Sequence, residues 1–232
     1  MTTITPNRTA GLWAAGLLVA QFILMWTAFF ILSSAINWPI SLDDPAAVAL
    51  PRVLAQSQAM MTGYGCYLMV GLLLVPATAA LNARLGLTGA LGGLTLSLAT
   101  LSALAKSIGI TRWLFAMPTL AQAYVAPDAD HAAIAVMFET LNAYAGGIGE
   151  ILGVGLISGL WTLVIAREIA RRPNVGVKAL AGFLALTGLI LLGTIPAGFG
   201  VDLGPVLTLS GVAWQFALFG VALWALTSPK RA

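Results

Sequence analysis

Residues 133–166 read AIAVMFETLNAYAGGIGEILGVGLISGLWTLVIA, an apolar, glycine-rich stretch with only two charged side chains, Glu139 and Glu150. Its length and composition predict a membrane-spanning helix. At about 100° per residue, the eleven steps between the carboxylates complete about three turns, so both are expected on one helix face, about 16 Å apart. The same stripe carries Asn142, Gly146 and Gly153. A carboxylate in hydrocarbon is costly unless it is protonated, paired or hydrated, so this face predicts a polar site.

The whole chain has the composition of a membrane protein. Of its 232 residues, 59% are hydrophobic and only 8% are charged, whereas a soluble domain carries about a quarter charged residues. Six apolar runs are long enough to cross about 30 Å of hydrocarbon, at residues 11–36, 59–83, 86–108, 133–166, 178–199 and 204–227. We therefore predict an all-α integral membrane protein, in which a compact bundle of six transmembrane helices forms one domain over residues 1–232.

The basic residues predict the orientation of this bundle. With six spans both termini lie on one side, and the cations of that side are Arg8, Arg84, Arg167, Arg171, Arg172, Lys178, Lys230 and Arg231. The other side holds Arg52, Lys106 and Arg112. By the positive-inside rule, this asymmetry places the N-terminus and the C-terminus in the cytoplasm. The basic residues form no extended stripe, so we expect no nucleic-acid partner.

A segment between the third and fourth runs, residues 111–125, mixes one cation with aromatic and apolar side chains. We expect it to lie flat on the outer leaflet, with Trp113 and Tyr124 at the level of the lipid headgroups. Arg112 would then reach lipid phosphates or a protein carboxylate. The alternative is that this segment forms a lid over a cavity.

Small residues line the fourth run. Gly149 and Gly153 form a small-xxx-small pair that Ser158 and Gly159 continue one turn later. Such a pattern packs membrane helices against each other. The glycine face has three interpretations: packing inside the bundle, docking of a membrane-protein partner or a second copy of the chain, and close approach of a ligand to the backbone.

The charges near the outer end suggest specific contacts. Lys106 and Arg112 lie at the outer end of the third run and Glu139 begins the fourth on the same side, so either cation is a candidate ion-pair partner for Glu139. Glu150 lies about three turns deeper. Unless a cation or water reaches it, we expect Glu150 to be protonated, and either to bond to Asn142, a threonine or a backbone carbonyl, or to exchange a proton in a cavity.

The sequence lacks the signatures of common catalytic and cofactor sites. Cys66 is the only cysteine and His131 the only histidine, which excludes an intrachain disulfide and a haem held by two histidines. No HExxH motif, P-loop or dinucleotide fingerprint is present. Two carboxylates about 16 Å apart on one helix are too distant for concerted acid and base catalysis. We predict no catalytic residue, no metal site and no cofactor.

Three segments resemble a bacterial membrane-protein family, the domain of unknown function 4386. They are residues 109–121 (GITRWLFAMPTLA), 138–146 (FETLNAYAG) and 149–153 (GEILG). The resemblance implies a compact six-helix membrane protein and names no activity. It also implies that Arg112, Trp113, Pro118, Asn142 and Glu150 act as one unit. We expect the chain to lie in the inner membrane of a bacterium.

These observations favour binding or passage of a small molecule or ion through a polar site between the third and fourth spans, within the lipid bilayer. The candidate residues of this site are Lys106, Arg112, Glu139, Asn142 and Glu150. Two alternatives stay open. One is a structural or regulatory subunit of a membrane complex, docked through the glycine face. The other is an intramembrane enzyme acting on lipid with Glu139 or Glu150 as base, which ranks lower because no nucleophile or metal set accompanies them.

Overall fold

The computed structural model describes residues 8–227. This part of the chain is almost entirely helical and contains no β-strand. Six helical runs are long and apolar enough to cross a bilayer: Arg8–Ile36, Ser57–Leu85, Gly89–Tyr124, His131–Ala170, Val175–Phe199 and Val206–Leu226. The prediction of an all-α, multi-pass membrane protein with six spans is thereby confirmed, and these runs are called the first to sixth spans. The fifth consists of an α-helix, Val175–Leu192, and a 3₁₀ turn, Ile195–Phe199.

The third span is longer than the sequence indicated. Its α-helix, Gly89–Thr111, continues through a π-helical turn, Arg112–Ala116, into a last α-helical segment, Met117–Tyr124. The buried residues of this extension are Arg112, Trp113, Met117, Leu120 and Ala121. Their spacing of three to four residues presents one face to the bundle. Residues 112–124 therefore continue the third helix and do not form a separate segment, because burial of this face extends the helix. That they lie at the outer leaflet stays a prediction.

The fourth span also changes its winding. An α-helix, His131–Gly146, is followed by a π-helical segment, Gly147–Ser158, and by a second α-helix, Gly159–Ala170. A π-helix closes i→i+5 hydrogen bonds and therefore takes more residues per turn than an α-helix. The 100° spacing that predicted a shared face for Glu139 and Glu150 does not hold across this change of winding.

The connection between the first two spans is mostly helical. It contains a 3₁₀ turn, Ile40–Asp43, and an α-helix, Ala46–Ala55, that packs against the ends of the third and fourth spans. Arg52 fastens this connection, because its Nη1 donates to a carboxylate oxygen of Asp44 and to the carbonyl oxygen of Ile36. One end of the bundle is therefore covered by ordered backbone.

One end of the bundle is rich in arginine. Arg84, at the end of the second span, donates to the carbonyl oxygen of Thr227. Arg172 donates to the carbonyl oxygen of Leu85. The start of the first span joins them, since Gly11 lies against the Arg84 side chain and Ala225. This is the arginine-rich end, which also holds Arg8, Arg167 and Arg171. Lys230 and Arg231, which contributed to the predicted orientation, lie outside the described residues.

Two apolar cores fill the bundle, one toward each end. In the first span, the core of the arginine-rich end reaches Leu18, and the other core begins at Leu32. In the third span the corresponding residues are Ala99 and Ile110. Between the two cores lies a layer with buried polar side chains, which include Gln21, Ser102, Lys106 and Ser158, and Gln215 is buried at the edge of the core of the arginine-rich end. The fold thus places polar groups near the middle of the spans.

Candidate functional site

Two glycines bring the third and fourth spans into close contact. A Cβ atom built on Gly109 would lie 2.8 Å from the Cα atom of Gly149. Any side chain larger than hydrogen at this crossing would collide with backbone, so the glycines set the distance between the helices. One turn further from the arginine-rich end, Arg112 lies opposite Gly146.

Arg112 is a buried cation held between these helices. Its side chain is only 6% exposed, and its Nη2 atom donates to Oε1 of Glu150 at 3.1 Å. Gly146 leaves room for the guanidinium group, since a Cβ atom there would lie 3.0 Å from Nη1. The guanidinium carbon also lies 5.6 Å from the ring centroid of Trp113. The pair is asymmetric, because the side chain of Glu150 is 53% exposed at the surface of the bundle.

Several buried polar atoms around Arg112 have no hydrogen-bond partner among the described residues. They are Nε and Nη1 of Arg112, Nε1 of Trp113, the hydroxyl of Tyr64 and Oδ1 of Asn142. Tyr64 stacks on Trp113 with ring centroids 5.5 Å apart and planes inclined by 2°. Tyr64 and Tyr67 both lie within electrostatic range of Arg112 and Glu150. The site is therefore rich in unsatisfied groups, and most of them are donors.

The 3₁₀ turn Ile40–Asp43 covers this site from the end opposite the arginine-rich end. Asn142 Nδ2 donates to the carbonyl oxygen of Leu42 at 3.0 Å, a bond that fixes the turn to the fourth span. Asp43 lies within electrostatic range of Glu150. The cover thus brings a second carboxylate near the ion pair.

The contacts in the structure differ in several places from those expected from the sequence. Arg112 pairs with Glu150 and not with Glu139, which is exposed and makes no side-chain hydrogen bond or ion pair within residues 8–227. Asn142 was one of several partners considered for Glu150, but its side-chain amide bonds to the covering turn. Trp113 is 4% exposed and lies inside the bundle, and its place at the headgroup level stays a prediction. Tyr124 remains a prediction as an interfacial residue.

Lys106 belongs to a different environment. Its Nζ atom lies 4.4 Å from the ring centroid of Trp214 in the sixth span. It is buried, and it forms no ion pair with Glu139 or any other carboxylate of the described chain. The structure therefore brings Arg112, Asn142 and Glu150 together and separates Lys106 from them.

Sequence reasoning missed Tyr64, Trp214, Gln21 and Gln215 as members of polar environments. A signal was present for the glutamines, because an uncharged polar side chain in the middle of an apolar span is unusual. Tyr64 carried no such signal, because tyrosine also serves as an interfacial anchor.

The glycines of the fourth span are used inside the chain. Gly149 and Gly153 face the third span, whereas Gly155 and Gly159 face the fifth. The face that was a candidate for a partner or a second copy is therefore covered by the protein's own helices. Among residues 8–227, no three histidine, cysteine, aspartate or glutamate side chains form a group that could hold a metal ion.

The comparisons with known proteins returned no family model, no curated protein and no solved structure that matches this chain. The resemblance to the domain of unknown function 4386 thus stays a prediction.

Proposed function

We propose that this membrane protein binds a small anion at Arg112, between the third and fourth spans, and passes it across the bilayer. One observation carries the proposal. The guanidinium group of Arg112 is buried, and only one of its three nitrogen atoms is hydrogen-bonded within the described chain. A buried charge with unsatisfied donors calls for an additional acceptor, which an anion supplies.

The surrounding groups favour an anion over a cation. Arg112, Trp113 and the hydroxyl of Tyr64 offer donors, whereas Asn142 Oδ1 is an unpaired acceptor. A buried polar group without a partner costs about 1–3 kcal/mol, so a ligand that accepts several of these bonds offsets a substantial cost. A cation would have to displace Arg112 from Glu150, the carboxylate to which Arg112 is already hydrogen-bonded.

Glu150 is suited to act as a counter-charge that can be replaced. Its side chain is half exposed, whereas Arg112 is enclosed, so the carboxylate can turn outward while the guanidinium group stays in place. An incoming anion then takes the position of the carboxylate. If Glu150 takes up a proton that enters with the anion, the charge of the site is the same before and after exchange, which avoids an uncompensated charge in the membrane.

The cellular setting follows from the charge distribution. We place the arginine-rich end in the cytoplasm by the positive-inside rule, which puts the Arg112 site nearer the outer leaflet. The resemblance noted above favours the inner membrane of a bacterium.

The direct test is anion flux into liposomes. Purified protein is reconstituted into vesicles that contain an iodide-quenched dye, and iodide is added outside. We expect the wild type to admit iodide and Arg112→Met to reduce the rate about tenfold or more, because loss of a charge-assisted hydrogen bond costs about 1.5–3 kcal/mol.

The matched control is Arg167→Met. Arg167 also pairs with a glutamate, Glu168, but its side chain is 63% exposed at the arginine-rich end, and Arg171 still pairs with Glu168 when Arg167 is lost. We expect its flux to stay within about twofold of the wild type, since exposed ion pairs contribute little. Thermal unfolding curves establish that both proteins are folded. Equal iodide flux in wild type and Arg112→Met would then refute the proposal.

A further inference from the structure

Lys106 is a buried amine that the Arg112 site does not use. Its side-chain stem runs between two glycines, because Cβ atoms built on Gly71 and Gly153 would lie 3.5 Å and 3.3 Å from its Cβ and Cγ atoms. The residue is 7% exposed, and its Nζ atom lies over the ring of Trp214. Within residues 8–227 it makes no side-chain hydrogen bond and no ion pair. The ring face stabilises an ammonium group but supplies no negative charge.

Two buried glutamines have amide atoms without hydrogen bonds. Gln21 is 1% exposed, and both its Nε2 and its Oε1 lack a partner among the described residues. Gln215 is 5% exposed, and its Oε1 lacks a partner in the same part of the chain. Each follows the stripe of the core at the arginine-rich end, one turn beyond Leu18 and Leu218 respectively.

Helix register places these glutamines at one level of the bundle. The first and sixth spans run antiparallel, with Gly11 against Ala225 and the ring of Phe22 5.6 Å from that of Phe216. Gln21 and Gln215 precede the two phenylalanines by one residue each, so they lie within one turn of each other along the bundle axis.

The same register brings the amine of Lys106 to this level. Gly71 of the second span lies beside Lys106, and the first and second spans pair Gly11 with Arg84 and Leu32 with Gly63. By this register, Gln21 is at the level of a position on the second span that lies about one helical turn beyond Gly71, in the direction of the arginine-rich end. Side chains on a helix tilt toward its N-terminus, which for the third span is the same direction. The contact of Lys106 with Trp214, the neighbour of Gln215, agrees with this placement.

We infer that Lys106, Gln21, Gln215 and Trp214 form a second anion site in the middle of the bundle. The ammonium group supplies the charge, the amide groups of the glutamines supply donors, and the ring of Trp214 holds the amine in position. This inference rests on the proposed function and names its next step. Lys106 lies six residues before Arg112 on the third span, about 9 Å deeper, so an anion released by Arg112 meets Lys106 next.

Trp214 provides a reporter of this site. Iodide quenches tryptophan fluorescence on contact, so iodide bound at Lys106 quenches the fluorescence of Trp214. The chain has seven tryptophans, and the contribution of Trp214 is the difference between the quenching curves of the wild type and Trp214→Phe. We expect this component to saturate with iodide in the wild type. The Lys106→Met variant keeps an unbranched stem between the two glycines. In this variant, the dissociation constant of iodide for the Trp214 component should rise tenfold or more.

The matched control is Lys178→Met, because Lys178 is exposed at the start of the fifth span and its loss should leave the curve unchanged. A second variant keeps Lys106 and replaces both glutamines, Gln21→Leu with Gln215→Leu. In this double variant, the dissociation constant of iodide for the Trp214 component should rise severalfold. The double variant tests the site even if Lys106→Met fails to fold.

The outcomes separate the two sites. Trp113 lies beside Arg112, so the difference between wild type and Trp113→Phe reports iodide at the outer site. A saturable Trp113 component with no saturable Trp214 component would overturn the second site and leave the proposed function standing. The absence of both components would overturn both. A Trp214 component that survives in folded Lys106→Met and in the double glutamine variant would also refute the assignment.

Discussion

Replacing Glu150 with glutamine is expected to lower the free energy of unfolding by about 3 kcal/mol, because it leaves the guanidinium group of Arg112 buried without a counter-charge. The enclosure of Arg112 decides this magnitude. Its side chain is 6% exposed, so the charge cannot reach water by a change of rotamer. The loss is measured by thermal or denaturant unfolding in detergent, with Glu139→Gln as control. Glu139 is exposed and unpaired within the described chain, and its variant should stay within about 0.5 kcal/mol of the wild type.

Iodide should reverse this loss. In Glu150→Gln the carboxylate bonded to Arg112 is lost, a bound anion can take its place, and iodide at about 100 times its dissociation constant restores about 2.7 kcal/mol. Wild type should gain less, because Glu150 competes with iodide for Arg112. The double variant Arg112→Met with Glu150→Gln should recover stability without iodide, since it removes both charges. A Glu150→Gln protein as stable as the wild type, or one that iodide does not stabilise, would contradict this account of the site.

The number of spans could be predicted from the sequence because each span has to hide its backbone from lipid on its own. Six long apolar runs therefore mark six helices whatever their mutual packing. The ends were less predictable. The third span continues to Tyr124 because Trp113, Met117 and Leu120 find buried positions against the connecting helix Ala46–Ala55 and neighbouring spans. That burial depends on the tertiary fold. The sequence of this segment does not reveal it, because the segment also carries the charged residue Arg112.

The candidate site was predictable only in its chemistry. Charged residues within or next to the apolar runs are few, so Arg112 and Glu150 stood out, and the structure pairs them. Their pairing could not be derived, because the distance along the fourth span was counted with α-helical geometry and the π-helical segment Gly147–Ser158 alters it. Lys106 was grouped with Arg112 for a related reason. When the third span is taken to end near residue 108, Lys106 stands at its edge, whereas the full helix places it well inside.

Replacing Gly149 with valine is expected to have the largest effect on stability among changes outside the charged site. A Cβ atom on Gly149 would lie 2.9 Å from the Cα atom of Gly109, and backbone cannot move aside as a flexible side chain can. We expect a loss of about 3 kcal/mol in the free energy of unfolding, at the upper end for overpacking. Gly147→Val is the matched control, because a Cβ atom there meets nothing within 4 Å. It carries the same backbone and β-branching costs, and should lose about 1 kcal/mol at most.

The Gly149→Val substitution should also abolish anion flux, even in molecules that remain folded. The bond between Arg112 and Glu150 is 3.1 Å long and crosses from the third span to the fourth close to the Gly109–Gly149 contact. Separation of the helices by about 1 Å moves these atoms beyond hydrogen-bond distance. Loss of iodide flux in Gly149→Val but not in Gly147→Val, compared at a temperature where both are folded, would show that the glycine contact sets the geometry of the site. Equal flux in the two variants would mean that the helices can separate without affecting Arg112.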